Sequence, residues 1–209
     1  MVAVLTNPSP KQSRSRKTIE ALLQAGRRKV EENGIDSLSM AEVAAAAESS
    51  VGSLYFHFGD KNQFVSAILS RALDATRGSV RLVVDAAAAA RWSPREILRR
   101  WVAMKVDIIA DNRALLRSVL RHTLAQPETW EPIRQFGHDA ERQLLELLER
   151  ARPEIAVPDW QRRVHIGMQA VSGTLMTMVI VERRPLNLDS RELKQELAEV
   201  AACYVWGGR

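Results

Sequence analysis

Between Gly34 and Asp60 the sequence starts and stops a helix twice. Helices that short do not hold on their own, because the cost of nucleation is spread over too few hydrogen bonds. They must pack on a longer neighbour. The chain supplies one from Arg14 onward, where Ile19, Leu22, Leu23 and Val30 recur at helical spacing and make one apolar stripe. Gly34 closes that helix as a C-cap. The second helix starts at Ser39, which forms a capping box with Glu42, and buries Met40, Val43, Ala44 and Ala47. Glu48 and Ser49 make a tight break. The third helix runs from about Ser50 to His57 and ends at Gly59 and Asp60. Asp60 can cap a fourth helix, whose apolar face carries Phe64, Ile68 and Leu69.

The remainder is helical too. Leu73, Val80 and Val83 keep the period of the fourth helix to about Ala89, so no flexible linker separates a domain over 14–60 from one over 61–209. Ser93-Pro94-Arg95-Glu96 is a start signal, with a cap, Pro in the first turn and Glu at N3. Further helices are expected over 112–123, from Pro127–Pro132 to Leu148, from Trp160 to Glu182 after an Asp159 cap, and from Ser190 to about Trp206. Pro153 and Pro158 punctuate a loop, and Pro185 closes the long apolar helix. No stretch alternates as a strand would. The chain reads as all-α with about nine helices: three short N-terminal ones, then a larger helical domain. Residues 1–13, with Pro8 and Pro10, read as an N-terminal arm disordered until bound.

Composition narrows the function classes. At 46% hydrophobic residues the chain can bury its own core without staples. The single cysteine, Cys203, excludes an internal disulfide framework and fits a reducing compartment. The N-terminus lacks the order of charges of a signal peptide, and no run of about 18 apolar residues spans a membrane, so the chain is expected to stay in the cytoplasm. With 30 basic and 25 acidic residues the excess of +5 permits a polyanion partner without demanding one. Distribution says more: Lys11, Arg14, Arg16 and Lys17 cluster with no acid among them.

Two short helices crossing steeply need small residues where they touch, and Ala44, Ala47 and Gly52 meet that need. Leu54 and Phe58, four apart, face the core. Val51, Tyr55 and either Phe56 or His57 are left outside. This arrangement suits a helix-turn-helix, and a small helical bundle without a ligand fits the periodicity as well. The stretch from Ser39 to Lys61, SMAEVAAAAESSVGSLYFHFGDK, resembles the helix-turn-helix of the TetR family of transcriptional regulators. The family's cap corresponds to Ser39 and its acid-apolar-Ala step to Glu42-Val43-Ala44. Its Gly-Ser/Thr-Leu-Tyr run corresponds to Gly52-Ser53-Leu54-Tyr55, and its aromatic ending and lysine to His57-Phe58 and Lys61. The similarity covers roughly residues 14–70. Three positions depart from the pattern: Glu48 stands where the turn usually has Gly, Ser49 replaces an apolar residue, and Val51 replaces a polar or basic one. If the turn keeps its geometry, Glu48 takes a positive φ at a cost of about 1 kcal/mol.

The resemblance implies a dimeric DNA-binding regulator. On that reading Tyr55, His57 and Lys61 contact phosphates, and Arg14, Arg16 and Lys17 lie along the DNA backbone, with a minor groove as the alternative for Arg14 or Arg16. Val51 can touch a thymine methyl, and Ser50 or Ser53 can bond to a base or a phosphate; Ser39, Ser49 and Phe56 complete the surface. The third helix lacks Arg, Asn and Gln, the usual bidentate readers, so specificity has to come from apolar contacts, the basic arm, DNA shape or water.

In the C-terminal part, the Trp160 helix and the last helix are the dimerisation candidates, through Val164, Gly167, Ala170, Val171, Thr174, Leu175, Met178, Leu193, Leu197, Val200 and Tyr204. Trp101, Met104, Ile108, Leu116, Leu120, Trp130, Phe136 and Met168, with His122 and Gln169, would line an effector pocket for a small apolar or aromatic molecule. The same residues serve equally as ordinary core. No cofactor motif, metal-ligand spacing or nucleophile arrangement appears, and the four histidines are scattered. The rival readings are a helical dimer that binds protein or ligand but not DNA, and an enzyme.

Overall fold

The computed structural model describes residues 10–151, 157–181 and 187–207, with side chains from Ser13 onward. The described residues form nine α-helices, one short 3-10 helix over Pro127–Trp130, and no strand. In chain order these are α1 Pro10–Asn33, α2 Met40–Ala46, α3 Val51–Phe58, α4 Lys61–Ala90, α5 Pro94–Asp111, α6 Arg113–Thr123, α7 Glu131–Arg150, α8 Trp160–Ile180 and α9 Arg191–Trp206. None of them is long and apolar enough to cross a membrane.

Several helix ends differ from the sequence expectation. Residues 10–13, assigned to a disordered arm, are helical backbone, because Pro10 takes the first helical position, where its fixed φ suits the helix and its missing N–H is not needed. Residues 1–9 of that arm lie outside the described residues, as do Pro153, Glu182 and Pro185. Asp159 does not cap α8 with its side chain. It sits at φ 55°, and only its carbonyl accepts, from Arg163 N–H at 3.1 Å. Val181, expected inside that helix, is extended at φ −125°. The Ser39, Ser93 and Ser190 hydroxyls each accept an N–H three residues on, from Glu42, Glu96 and Leu193.

The chain divides into two compact units, residues 1–72 and 73–209, and the division falls inside α4. The sequence expectation was a boundary inside or beside that helix, placed at residues 60 and 61. Its first turns carry Phe64, Val65, Ile68 and Leu69, all buried, and this apolar run ties them to the N-terminal unit.

The N-terminal unit is built around Phe64, which is fully buried. Leu22, Val30, Val43 and Leu54 from α1, α2 and α3 are likewise closed off from solvent. Gly26 on α1 lets the Phe64 ring in. A Cβ at that position would stand 2.5 Å from Phe64 Cζ and 2.9 Å from Ile68 Cδ1. Across the surface, Arg71 donates from Nε and Nη2 to the two Glu20 carboxylate oxygens, each at 3.1 Å, joining α4 to α1. The Arg71 hydrogen bonds hold the Glu20 carboxyl below its ordinary value, although burial pushes the other way. Both side chains are about half exposed, so the pair contributes less than about 1 kcal/mol. That contribution is present above the ordinary carboxylate pKa and is lost as pH falls through the depressed one.

The C-terminal unit has its own core. Val102, Val106, Leu144, Leu148, Leu175 and Val179 are fully closed off, and Trp101 nearly so. Helix α9 packs on both α5 and α8. Gly167 faces Tyr204 and Val205 across the α8–α9 contact, where an added Cβ would meet ordinary van der Waals distances of 3.7 and 3.8 Å.

Gly26→Ala should destabilise the N-terminal unit by about 1–3 kcal/mol, since the intruding methyl meets an aromatic ring in a closed core. Thermal unfolding followed by circular dichroism checks this, and an unchanged midpoint would show that the Phe64 ring has room to move.

Candidate nucleic-acid interface

The turn between α2 and α3 is closed by backbone bonds alone. Glu48 N–H donates to the Ala45 carbonyl at 3.1 Å and Ser49 N–H to the Ala44 carbonyl at 2.9 Å. These two bonds are the Schellman pattern, and they place Glu48 at φ 51°, the left-handed conformation expected for that position. The chain then extends through Ser50, whose Oγ accepts the Ser53 N–H at 3.0 Å and so caps α3. At the other end Gly59, at φ 76°, turns the chain, and Asp60 Oδ1 accepts the Gln63 N–H at 2.8 Å to start α4.

Helix α3 is held by one side. Leu54 is fully buried, and the Phe58 ring meets Phe64 edge-on with centroids 4.9 Å apart. The opposite side is open: Val51, Gly52, Tyr55 and Phe56 are exposed, and Phe56 is 84% accessible. The helix carries no acidic residue, and its first N–H groups, apart from the one capped by Ser50, are free of side-chain partners. Such an end favours an anion.

The expected DNA-contacting residues fall into three groups. Val51, Tyr55 and Phe56 stand out on the open face, with exposed Ser50 at its head. Ser39, Ser49, Ser53 and His57 are half-buried, and the Ser39 hydroxyl is occupied as the α2 cap. The His57 ring lies edge-on between Phe56 and Phe58, at 5.2 and 6.3 Å. Half-buried Lys61 donates from Nζ to the Asp36 carbonyl at 3.0 Å, which pins the start of α4 to the loop before α2. Its ammonium has two further protons for a phosphate. Arg14, Arg16 and Lys17 are exposed on the first turns of α1; Arg14 and Lys17, three apart, share a face that Arg16 does not.

The C-terminal candidates also sort by burial. Of the expected effector residues, Trp101, His122 and Met168 are buried, and Met104, Leu116, Leu120 and Phe136 pack against the same core as partly buried side chains. Ile108 and Trp130 are half-buried. Gln169 is exposed on the outer side of α8 and does not join this group. The sequence reading passed over Lys105 on α5, an amine whose pKa burial pushes down while the nearby Glu141 charge pushes it up. Glu141 is in turn bonded to His165 Nδ1 at 2.6 Å. These middle helices therefore carry charge as well as apolar wall. A lysine inside an otherwise apolar stretch of α5 was the available signal.

Among the expected dimerisation residues, Val164, Gly167, Val171, Leu175, Met178, Leu193 and Leu197 are buried within the chain itself and have no surface to offer a second copy. They are core residues, because α8 and α9 must first pack on each other and on α5. Ala170, Thr174, Val200 and Tyr204 are exposed. Ile166, Gly173, Thr177 and Ile180 extend their surface along α8, and the two isoleucines among them were not singled out from sequence.

Comparison with known proteins agrees with this geometry. Residues 22–68 match the family model for bacterial regulatory proteins of the tetR family. The fold resembles that of several solved proteins. A TetR transcription regulator from Haloarcula marismortui superposes with a TM-score of 0.71 at 18% identity, over 91% of this chain and 97% of that one. Salmonella enterica GusR gives 0.67 at 20% identity, over 96% and 98%. A TerR/AcrR-family transcriptional regulator from Aquifex aeolicus gives 0.64 at 22% identity, over 87% and 96%. No curated protein sequence matches.

Glu48→Gly should raise stability by about 1 kcal/mol, because glycine takes the left-handed conformation without steric cost. The unfolding midpoint checks this; a midpoint lowered or unmoved would mean the Glu48 backbone carries no strain.

Proposed function

We propose that this chain, whose residues 22–68 match the family model for bacterial regulatory proteins of the tetR family, is a ligand-responsive transcriptional repressor that binds palindromic double-stranded DNA as a homodimer. The carrying observation is the open face of α3, where Val51, Tyr55 and the 84% accessible Phe56 stand beside a capped helix start on a closely packed three-helix support. Exposed apolar groups clustered on a rigid element mark a surface in use. The helix N-terminus, Tyr55, His57, Lys61 and the α1 cations Arg14, Arg16 and Lys17 supply phosphate contacts, which set position without reading sequence.

One such unit reads few bases. Pairing two copies through the exposed stripe of α8 and the Val200–Tyr204 side of α9 presents two recognition helices to successive half-sites, about 34–36 Å apart or a multiple of it. A small hydrophobic or aromatic effector held among the middle helices of the C-terminal unit favours the state that does not fit DNA. Moving a population from 1:99 to 99:1 takes a differential affinity of about 5.5 kcal/mol. Helix α4 is the element through which that difference passes. The protein acts by binding, without catalysis and without a cofactor.

A footprint on the intergenic DNA beside the chain's own gene should show a protected palindrome. Binding should weaken roughly 10³–10⁵-fold between 50 and 200 mM salt if the dimer neutralises about 6–10 phosphates. Uniform weak binding along the fragment would contradict a specific regulator. Thr174→Arg, on the exposed side of α8, should leave helix content intact, shift the elution of the protein to that of a monomer and abolish the palindromic footprint. A Thr174→Arg dimer would place the interface elsewhere.

A further inference from the structure

We infer that the outer ridge of α3, formed by Gly52 and Phe56, selects thymine-containing half-sites by contact with the pyrimidine 5-methyl group, in place of hydrogen bonds to base edges. The inference rests on the DNA-binding reading above and names what that site reads.

At about 100° per residue, Gly52 and Phe56 lie close together on one line of the helix, roughly opposite Leu54 and Phe58. The inward pair is anchored, since Leu54 is fully buried and Phe58 packs on Phe64. The outward line is therefore Gly52 followed by Phe56, and neither side chain can donate or accept a hydrogen bond. Tyr55 borders the line on one side and half-buried Ser53 on the other, while partly exposed Val51 lies nearer Phe58, at the edge of the face. Ser50 Oγ accepts the Ser53 N–H, and the hydroxyls of Ser53 and Tyr55 lie to either side of the line and not on it. The centre of the helix face is apolar by construction.

Gly52 adds a second observation. A glycine within a helix is less stable than alanine, yet a Cβ at this position would meet only Ser50 Oγ, at 3.9 Å. Nothing inside the chain uses the space, in contrast to Gly26, where Phe64 fills it. The gap allows the backbone of α3 to approach an external surface closely, and Phe56 reaches that surface one turn later. On the floor of a major groove the thymine methyl is the apolar group presented by a base edge, whereas guanine and cytosine edges would lose water against a phenyl ring with nothing in return.

The test uses the full chain and a duplex recovered by selection from a random-sequence pool. Thymines in the recovered half-sites are replaced by uracil, which removes only the methyl. Binding should weaken roughly four-fold per contacted methyl. At the sensitive positions, 5-methylcytosine paired with guanine should bind more tightly than cytosine does. Phe56→Ala, at a side chain already 84% accessible, should keep its unfolding midpoint and bind the thymine and uracil duplexes alike. Gly52→Ala should unfold no earlier than the parent and bind the selected duplex less tightly. Equal affinity for thymine and uracil duplexes, or a Phe56→Ala protein that keeps the parent's preference between them, would overturn the inference while leaving DNA binding intact. Recovery of no sequence from the pool would instead remove the DNA-binding reading, and this inference with it.

Discussion

The seating of Phe64 against Gly26 is the contact on which the N-terminal unit depends. A ring that comes within 2.5 Å of where a Cβ would stand locks α4 against α1 in a single register. Phe58 leans edge-on against the same ring, and Leu54 is fully buried, so α3 is positioned by its inner side. A short helix fixed in this way does not need its outer face for stability. Val51, Tyr55 and Phe56 are thereby released from the core, and the turn at Glu48 and the Ser50 cap define where the helix begins.

The local signals in this region were legible because they are chemical and short-range. Ser39 and Asp60 as caps, the positive φ at Glu48, and the inward assignment of Leu54 and Phe58 all follow from neighbours within a few residues. Gly26 was not legible. Its role depends on a ring thirty-eight positions later in the chain, and periodicity carries no record of that meeting. The Lys61 bond to the Asp36 carbonyl escaped for the same reason, and it makes a residue first assigned only to phosphate into a brace for the start of α4. Pro10 was read as a mark of disorder when it serves as a helix start.

In the C-terminal unit, a helical pattern showed which residues are apolar but not which of two neighbours claims them. Both α8 and α9 are apolar over more than one face. The side with Val164, Val171 and Leu175 goes to the chain's own core, and the side with Ala170, Thr174 and Tyr204 remains outside. Sequence reading merged these two sides into one surface. Separating them needs the direction of α5, with which α9 packs, and that is tertiary information. Lys105 shows the same limit: a lysine within an apolar run marks an unusual position, but its half-burial near Glu141 depends on a helix later in the chain.

The central claim is that the outer face of α3 is where a duplex binds. Amide hydrogen exchange with and without the selected duplex tests it most directly. Protection should appear over Ser50–Phe58 and the first turns of α1. If the duplex binds and slows exchange only in α5 to α9, leaving α3 unchanged, the account is contradicted.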